Sequence, residues 1–239
     1  MTPLLSVRNL SVHFYTGSGV IKAVDDISYD LNAGETLGIV GESGCGKSVS
    51  AMSLLRLIPS PPGSIAGGEI LFGGKDLLKA TRTEICSVRG NQIAMIFQEP
   101  MTSLNPVHRI GRQVAEPLRV HRSMKRHRAL AEAVRALKKV HIPDSANRIQ
   151  DYPHQFSGGM RQRAMIAMGL TCNPKIIIAD EPTTALDVTI QAQLLTLMKQ
   201  LTKETGTALM IITHNLGIIA RYADRVNVMY AGRLVQNAA

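Results

Sequence analysis

The sequence predicts an α/β protein with a mainly parallel sheet, antiparallel edge strands and a helical subdomain inserted in the middle. Two observations lead to this fold class. Short apolar runs of strand length alternate with helical patterns near both ends of the 239-residue chain, which is typical of parallel sheets. From about Thr102 to Cys172, by contrast, Ala, Arg, Leu and Met dominate in helical patterns. We therefore expect a core from residues 1–97 and 175–239 and a helical subdomain near 98–174.

The elements can be assigned in chain order. Apolar and polar residues alternate from Leu5 to Phe14 around the turn signal Thr16–Gly19, which predicts antiparallel strands. Thr36–Val40 is a short apolar strand that enters a glycine-rich loop, and Lys47–Leu57 reads as a helix that prolines from Pro59 onward break. The other predicted elements are strand Ile93–Phe97, helical segments Ala129–Val140 and Met160–Leu170, strand Ile176–Asp180, helix Val188–Glu204 and strand Ala208–Thr213.

Composition excludes several classes of protein. Hydrophobic residues make up 45% and charged residues 19%, a globular rather than a disordered balance. No apolar run approaches the ~18 residues of a membrane-spanning helix, and no secretory signal is visible at the N-terminus. The three cysteines, Cys45, Cys86 and Cys172, form neither a disulfide framework nor a metal-ligand spacing. We therefore expect a protein of a reducing, cytosolic setting.

The net charge of +9 is concentrated in one segment. From Arg119 to Lys139 there are eight Lys or Arg residues and one acid, Glu132. This pattern is compatible with a solvated helical face or with a surface that lies near anionic lipid headgroups. The segment contains no aromatic residue to stack on bases, which disfavours nucleic acid as a partner.

A phosphate-binding motif lies between the predicted strand Thr36–Val40 and the helix from Lys47. Its residues are Gly41, Glu42, Ser43, Gly44, Cys45, Gly46, Lys47 and Ser48, which match G-x-x-x-x-G-K-S. Glycines let the backbone N–H groups wrap closely around phosphate oxygens, and the helix adds its positive end. Lys47 would bridge the β- and γ-phosphates, and the Ser48 hydroxyl would bind Mg²⁺. The alternative, a glycine-rich turn with a surface lysine, does not explain why the motif sits between strand and helix.

Two further patterns support a nucleotide site. The strand Ile176–Asp180 ends in the carboxylates Asp180 and Glu181, of which the first could reach the Mg²⁺ shell and the second could polarise an attacking water. Ser157, Gly158 and Gly159 open a helix with an N-cap residue and exposed backbone N–H groups, a second anion site. Taken alone, the carboxylate pair is also what an ordinary strand that ends in acidic residues would show. The serine and the two glycines are likewise typical of an ordinary capped helix.

These motifs, in this order, resemble the ATP-binding-cassette ATPases that energise ABC transporters. The resemblance implies bound ATP and Mg²⁺ and a head-to-tail dimer in which Ser157, Gly158 and Gly159 of one subunit cover the nucleotide of the other. The roles that it implies for single residues are as follows: Gln98 contacts Mg²⁺ and water, Asp187 crosses the dimer interface, His214 contacts the γ-phosphate, and Phe14, or else Tyr15, stacks on adenine.

Three segments are similar to one group within this family, the oligopeptide, dipeptide and nickel importer ATPases. They are Phe97–Pro106, Tyr152–Gln155 and Asp180–Thr189. Met160 and Asn215 depart from the pattern of most cassettes, which have Gln and Asp there, and Asn215 is expected to weaken the positioning of His214.

The resemblance implies an ATP-hydrolysing energy-coupling subunit of an importer, with peptides as the favoured solute. Nickel or another small solute is an alternative, as is a soluble ABC ATPase outside transport; a non-hydrolysing regulatory module is disfavoured because the catalytic residues are all present. The implied partners are integral membrane permease subunits, a second ABC ATPase, either identical or a related hetero-partner, and an extracytoplasmic solute-binding protein, with no nucleic acid. The implied location is the cytoplasmic face of the cell (inner) membrane, with docking through the helical subdomain and Glu99–Pro106.

Overall fold

The structure is a computed structural model that describes residues 2–98, 103–182 and 188–238. It has two compact units, one formed by residues 1–89 with 208–239 and the other by residues 90–207. Strands alternate with helices near both ends of the chain as predicted, whereas the predicted boundaries of the helical subdomain stay a prediction. Among the described residues, no helix combines the length and the apolar content needed to cross a membrane.

In its described residues, the first unit contains a four-stranded sheet, four strands of a second sheet and three helices. Its elements are β1 (Leu5–Thr16), β2 (Gly19–Leu31), β3 (Thr36–Val40), α1 (Lys47–Leu54), β4 (Gly63–Phe72), β5 (Lys75–Asp76), α2 (Arg82–Val88), β8 (Ala208–Thr213), α8 (Leu216–Tyr222), β9 (Arg225–Tyr230) and β10 (Arg233–Ala238).

The antiparallel strands near the N-terminus form a sheet of their own, in the order β2-β1-β4-β5, and β10 is an antiparallel strand at the edge of the second sheet. Strands β1 and β2 pair across the predicted turn, with Thr16 opposite Gly19. The aliphatic residues of β1, Leu5, Val7, Leu10 and Val12, are fully buried. Such alternation buries one face of a strand and leaves the other in water.

The second sheet supports the glycine-rich loop. Strand β3 lies between β8 and β9, parallel to both, and β10 pairs antiparallel with β9. All five residues of β3 are buried, as is typical of a strand that is covered on both faces. Asp224 accepts a hydrogen bond from the backbone N–H of Thr36 (2.8 Å), which fixes the start of β3 against the chain that enters β9.

The second unit is mainly helical. Its elements are β6 (Ile93–Ile96), α3 (Ile110–Arg122), α4 (Arg126–Lys139), α5 (Ser145–Arg148), a 3₁₀ turn (Pro153–Gln155), α6 (Gly158–Leu170), β7 (Ile176–Asp180) and α7 (Val188–Thr205). Strands β6 and β7 pair in parallel, with Ile96 opposite Ala179. Helix α4 shows why this part folds as helix, because Ala129, Ala133 and Leu137 recur every four residues and are fully buried.

Candidate active site

The glycine-rich loop, residues Gly41–Ser48, connects β3 to α1, as the motif requires. Gly41 approaches a neighbouring strand so closely that a Cβ there would lie 2.1 Å from the Met229 carbonyl oxygen. Gly46, the N-cap of α1, has φ +105°, and a Cβ there would lie 2.1 Å from the carbonyl oxygen of Ala23. The loop is therefore a narrow cradle that only glycine at these positions permits.

Lys47 is held inside this loop. It is 5% exposed, and its ammonium group donates hydrogen bonds to the carbonyl oxygens of Gly41 and Glu42, both at 2.7 Å. The cation thus stands at the first turn of α1 together with the loop's backbone N–H groups. Glu42, Ser43 and Gly44 face solvent, which leaves the outer side of the cradle open to a ligand. A buried cation, a helix N-terminus and a glycine cradle fit the phosphate chain of a nucleotide.

His214 leaves the sheet beside this loop. Thr213 of β8 pairs with Val40 of β3, so His214 and Gly41 follow the ends of two adjacent parallel strands. His214 is exposed, as a group that meets a ligand must be. Ligands of such sheets bind outside the carboxyl ends of the strands.

Asn215, which follows His214, has a role that the sequence analysis missed. Its side-chain oxygen accepts hydrogen bonds from the N–H groups of Gly217 (2.9 Å) and Ile218 (3.4 Å). Asn215 is therefore the N-cap of α8, a position at which Asn and Asp are equally good. The signal was available as an Asn directly before a helical segment. The expectation that Asn215 weakens the placement of His214 stays untested.

Phe14 and Tyr15, the two predicted adenine-stacking residues, differ in exposure. Phe14 is half-buried, with its ring edge beside Gly63, where a Cβ would lie 3.0 Å from the ring carbon Cε1. Tyr15 is 55% exposed and meets His13 edge-on, with ring centroids 6.5 Å apart. Either ring could present a face to a base, and the choice between them stays a prediction.

The second unit brings three predicted site residues to one end of its strand pair. Gln98 follows β6, Asp180 ends β7, and Glu181 comes next. The side-chain amide of Gln98 donates a hydrogen bond to a Glu181 carboxylate oxygen at 3.1 Å. Asp180 is 5% exposed and Glu181 is half-buried with φ +44°. Two carboxylates and an amide at this position offer the oxygen ligands that Mg²⁺ prefers.

Ser157 caps the 13-residue helix α6, because its hydroxyl oxygen accepts a hydrogen bond from the N–H of Met160 at 3.3 Å. Ser157 and Gly158 are exposed, whereas Gly159 is half-buried. The predicted second anion site therefore faces solvent, at a helix N-terminus. Asp187, the predicted dimer-interface residue, lies outside the described residues, as do Glu99–Thr102 of the predicted docking segment.

Comparison with known proteins decides the family. The model of a family described as ABC transporter matches residues 24–184, about two thirds of the chain. The chain belongs to the ABC transporter family. A probable peptide ABC transporter ATP-binding protein, y4tR of Sinorhizobium fredii, is 54% identical over 99% of this chain and 70% of its own length. The oligopeptide transport ATP-binding protein OppD of Bacillus subtilis is 52% identical over 99% of this chain and 66% of its own length.

Solved ABC structures show the same fold. The ATP-binding cassette MJ0796, in a dimeric post-hydrolysis state bound to ADP and Pi, superposes with a TM-score of 0.86 at 26% identity, covering 98% of this chain and 97% of that one. CbiO1 from Clostridium perfringens, part of the ABC transporter complex cbiONQ, gives 0.82 at 26% identity, covering 100% of this chain and 89% of that one. The predicted fold class and the ATPase activity with ATP and Mg²⁺ are thereby confirmed.

Proposed function

We propose that this chain is the energy-coupling ATPase of an importer that carries peptides into the cell. One observation carries the choice of solute. Eight relatives named for peptide, oligopeptide or dipeptide transport or import are 51–54% identical over 98–99% of the chain.

In the first unit, the glycine cradle and Lys47 hold the triphosphate of ATP. Lys47 now donates to the loop's own carbonyls and would turn to phosphate oxygens, which are stronger acceptors because they carry charge. Ser48 supplies a hydroxyl ligand to Mg²⁺, which when bound neutralises charge on the phosphates. His214 contacts the γ-phosphate, and Phe14 or Tyr15 stacks on the adenine.

In the second unit, Glu181 orients and deprotonates the water that attacks the γ-phosphate. Asp180 contacts the Mg²⁺ shell. Gln98 contacts both Mg²⁺ and the water, and its hydrogen bond to Glu181 supports this role, because it places the amide beside the base.

A second ATPase subunit completes each site in a head-to-tail pair. Ser157, Gly158 and Gly159 cover the nucleotide that the opposite subunit holds, and Asp187 crosses between subunits. The exposure of Ser157 and Gly158 at the start of α6 supports this assignment. The cassette MJ0796 is a dimer in two solved structures. We infer a hetero-pair with a related ATPase, because the chain is similar to peptide importer ATPases.

The permease docks at an apolar groove next to Gln98. The groove has a volume of about 460 Å³ within the second unit, and Met95, Phe97, Met165 and Met168 are among the residues that line it. Phe97 is 39% exposed despite its size. Methionine side chains adapt to the shape of a partner, so this surface suits a short amphipathic helix of a membrane subunit. Because Gln98 follows Phe97 directly, a shift of Gln98 with the nucleotide state would move this surface.

The chain therefore works on the cytoplasmic face of the cell membrane, beside permeases that receive peptide from an extracytoplasmic solute-binding protein. Arg119, Lys125, Arg126 and Arg128 are exposed along α3, α4 and the turn between them. They add attraction to anionic headgroups, worth about 1 kcal/mol for each well-placed basic residue at low salt.

Reconstitution tests this proposal. The chain is combined with its partner ATPase and the permeases in proteoliposomes, and ATP hydrolysis is measured with the solute-binding protein loaded with a peptide mixture or with nickel ions. We expect peptide to stimulate hydrolysis and nickel to leave it unchanged; stimulation by nickel alone would refute the peptide assignment. Salt-resistant membrane association only with permeases supports docking, whereas equal binding to bare anionic vesicles would show that the basic residues alone hold the chain there.

A further inference from the structure

A cavity of about 570 Å³ lies within the second unit, away from every residue assigned above. It is bounded by the end of α3, the second half of α4, the last turn of α6 with the chain that follows it, and the last turns of α7. Its floor is apolar, because Leu118, Val140, Ala167 and Leu201 line it and all are at most 8% exposed. Its volume falls within the range of about 300–1,000 Å³ that is typical of small-molecule sites. We call it the four-helix cavity.

The rim of the four-helix cavity carries an excess of positive charge. The basic residues that line it are Arg122, Arg135 and Lys139, and the acidic residues are Glu132 and Glu204. Glu132 pairs with Arg135 at 2.7 Å, whereas Glu204 accepts a hydrogen bond from the neutral amide of Gln200 at 3.0 Å and keeps its charge, so the lining carries one net positive charge.

Among the described residues, neither Arg122 nor Lys139 forms an ion pair with a carboxylate. Arg122 donates to the carbonyl oxygen of Cys172 at 3.0 Å, which fixes its guanidinium at the wall. Lys139 is exposed, and within the described ranges it forms no hydrogen bond or ion pair. Burial raises the pKa of the Cys172 thiol, and Arg122 acts in the opposite direction but more weakly. The thiol at this part of the cavity wall is therefore uncharged. The cavity thus combines an apolar floor with two cations among its lining residues.

We propose that the four-helix cavity binds a small amphipathic anion, with a carboxylate or phosphate head at Arg122 and Lys139 and an apolar body on the floor. An uncharged apolar molecule would leave the net positive charge of the lining without a counter-charge. A cationic one would be repelled by this charge. The site is independent of the nucleotide, because none of the ATP-site residues lines it.

A different explanation for the same cations is that they stabilise helix ends. Arg122 lies in the last turn of α3, and Lys138 and Lys139 lie in the last turn of α4, where basic residues favour the negative end of the helix dipole. If the lysines only stabilised the end of the helix, Lys138 and Lys139 would contribute equally. They differ in that Lys139 lines the cavity and Lys138 does not. This neighbouring pair gives a matched control.

The test measures binding of four eight-carbon probes to the full chain without ATP by titration calorimetry: octanoate, octyl phosphate, octanol and octylamine. We expect one saturable site for at least one anion, with octanol at least about tenfold weaker, because a hydrogen bond to a charged group is lost. Octylamine should not bind. Equal binding of octanol and octanoate, or no saturable binding of either anion, would overturn the proposal.

Variants then locate the site. Lys139→Ala should weaken binding of the anion at least about fivefold, since it removes one charged contact, whereas Lys138→Ala should leave it unchanged. Ala136→Phe, at a half-buried lining position, should abolish binding by filling the cavity, with circular dichroism confirming that the variant folds. Equal effects of the two lysine variants would refute the site. Because both lysines are exposed, that comparison stands even if Ala136→Phe does not fold.

Discussion

Among alanine substitutions at the loop glycines that have a positive φ, Gly46→Ala should damage the nucleotide loop most. The φ of +105° costs a non-glycine residue about 1–3 kcal/mol. The new Cβ would also lie 2.1 Å from the Ala23 carbonyl oxygen and 2.9 Å from Cε of Met229. A backbone carbonyl in β2 cannot rotate away as a side chain can, so overpacking adds about 1–3 kcal/mol. We expect the free energy of unfolding to fall by about 2–6 kcal/mol and ATP binding to be lost.

Gly44→Ala is the matched control. Gly44 also has a positive φ of +79°, but a Cβ there meets nothing within 4 Å. It should therefore show only the backbone cost, about 1–2 kcal/mol, and keep most of the binding. Urea denaturation gives the unfolding free energies, and fluorescence titration with a labelled ATP gives the affinities. If the two variants have the same free energy of unfolding and the same ATP affinity, the close approach of Gly46 to β2 does not shape the loop and the reasoning fails.

Three further predictions concern single contacts. Asn215→Ala should lower the free energy of unfolding by about 1 kcal/mol in urea, while Asn215→Asp keeps the cap and the stability. The side-chain hydrogen bond from Arg233 holds the pKa of Asp25 below its ordinary value. The pair therefore stabilises the fold above the ordinary pKa, and this stabilisation is lost as the pH falls through the lowered pKa. Arg233→Gln should therefore reduce the drop in melting temperature between about pH 5 and pH 3, and an unchanged drop would contradict the pairing. Gln98→Ala removes the hydrogen bond to Glu181, so we expect ATP affinity to be kept and kcat to fall; an unchanged kcat would show that this contact does not position the base.

The local elements of this fold were predictable wherever sequence signals were short-range. The glycine loop after Thr36–Val40, the turn at Thr16–Gly19 and the buried strand Ile176–Asp180 all lie where the sequence puts them. Helix α2 was missed because it has only seven residues, although its capping box of Thr81 and Glu84 was a readable signal.

Long-range pairing could not be read from one sequence. The antiparallel sheet joins β1 to β4 across about fifty residues, and Gly67 and Gly68 interrupt the alternation that would have marked β4 as a strand. Likewise, β3 pairs with β8, which lies more than 160 residues further along the chain. The motifs predicted Gln98 and Glu181 as site residues, but not their hydrogen bond, because it depends on the pairing of β6 with β7.

The central claim is that this chain hydrolyses ATP with Glu181 as the base, and the Glu181→Gln variant tests it most directly. ATP affinity and the hydrolysis rate are measured in the assembled transporter, with Glu116→Gln, an exposed acid of α3, as the control. We expect parent-like affinity, a rate lowered at least about a hundredfold and an ATP-stabilised subunit pair, because the base is lost while the phosphate cradle is intact. Hydrolysis by the Glu181→Gln variant at the parent rate would contradict the account.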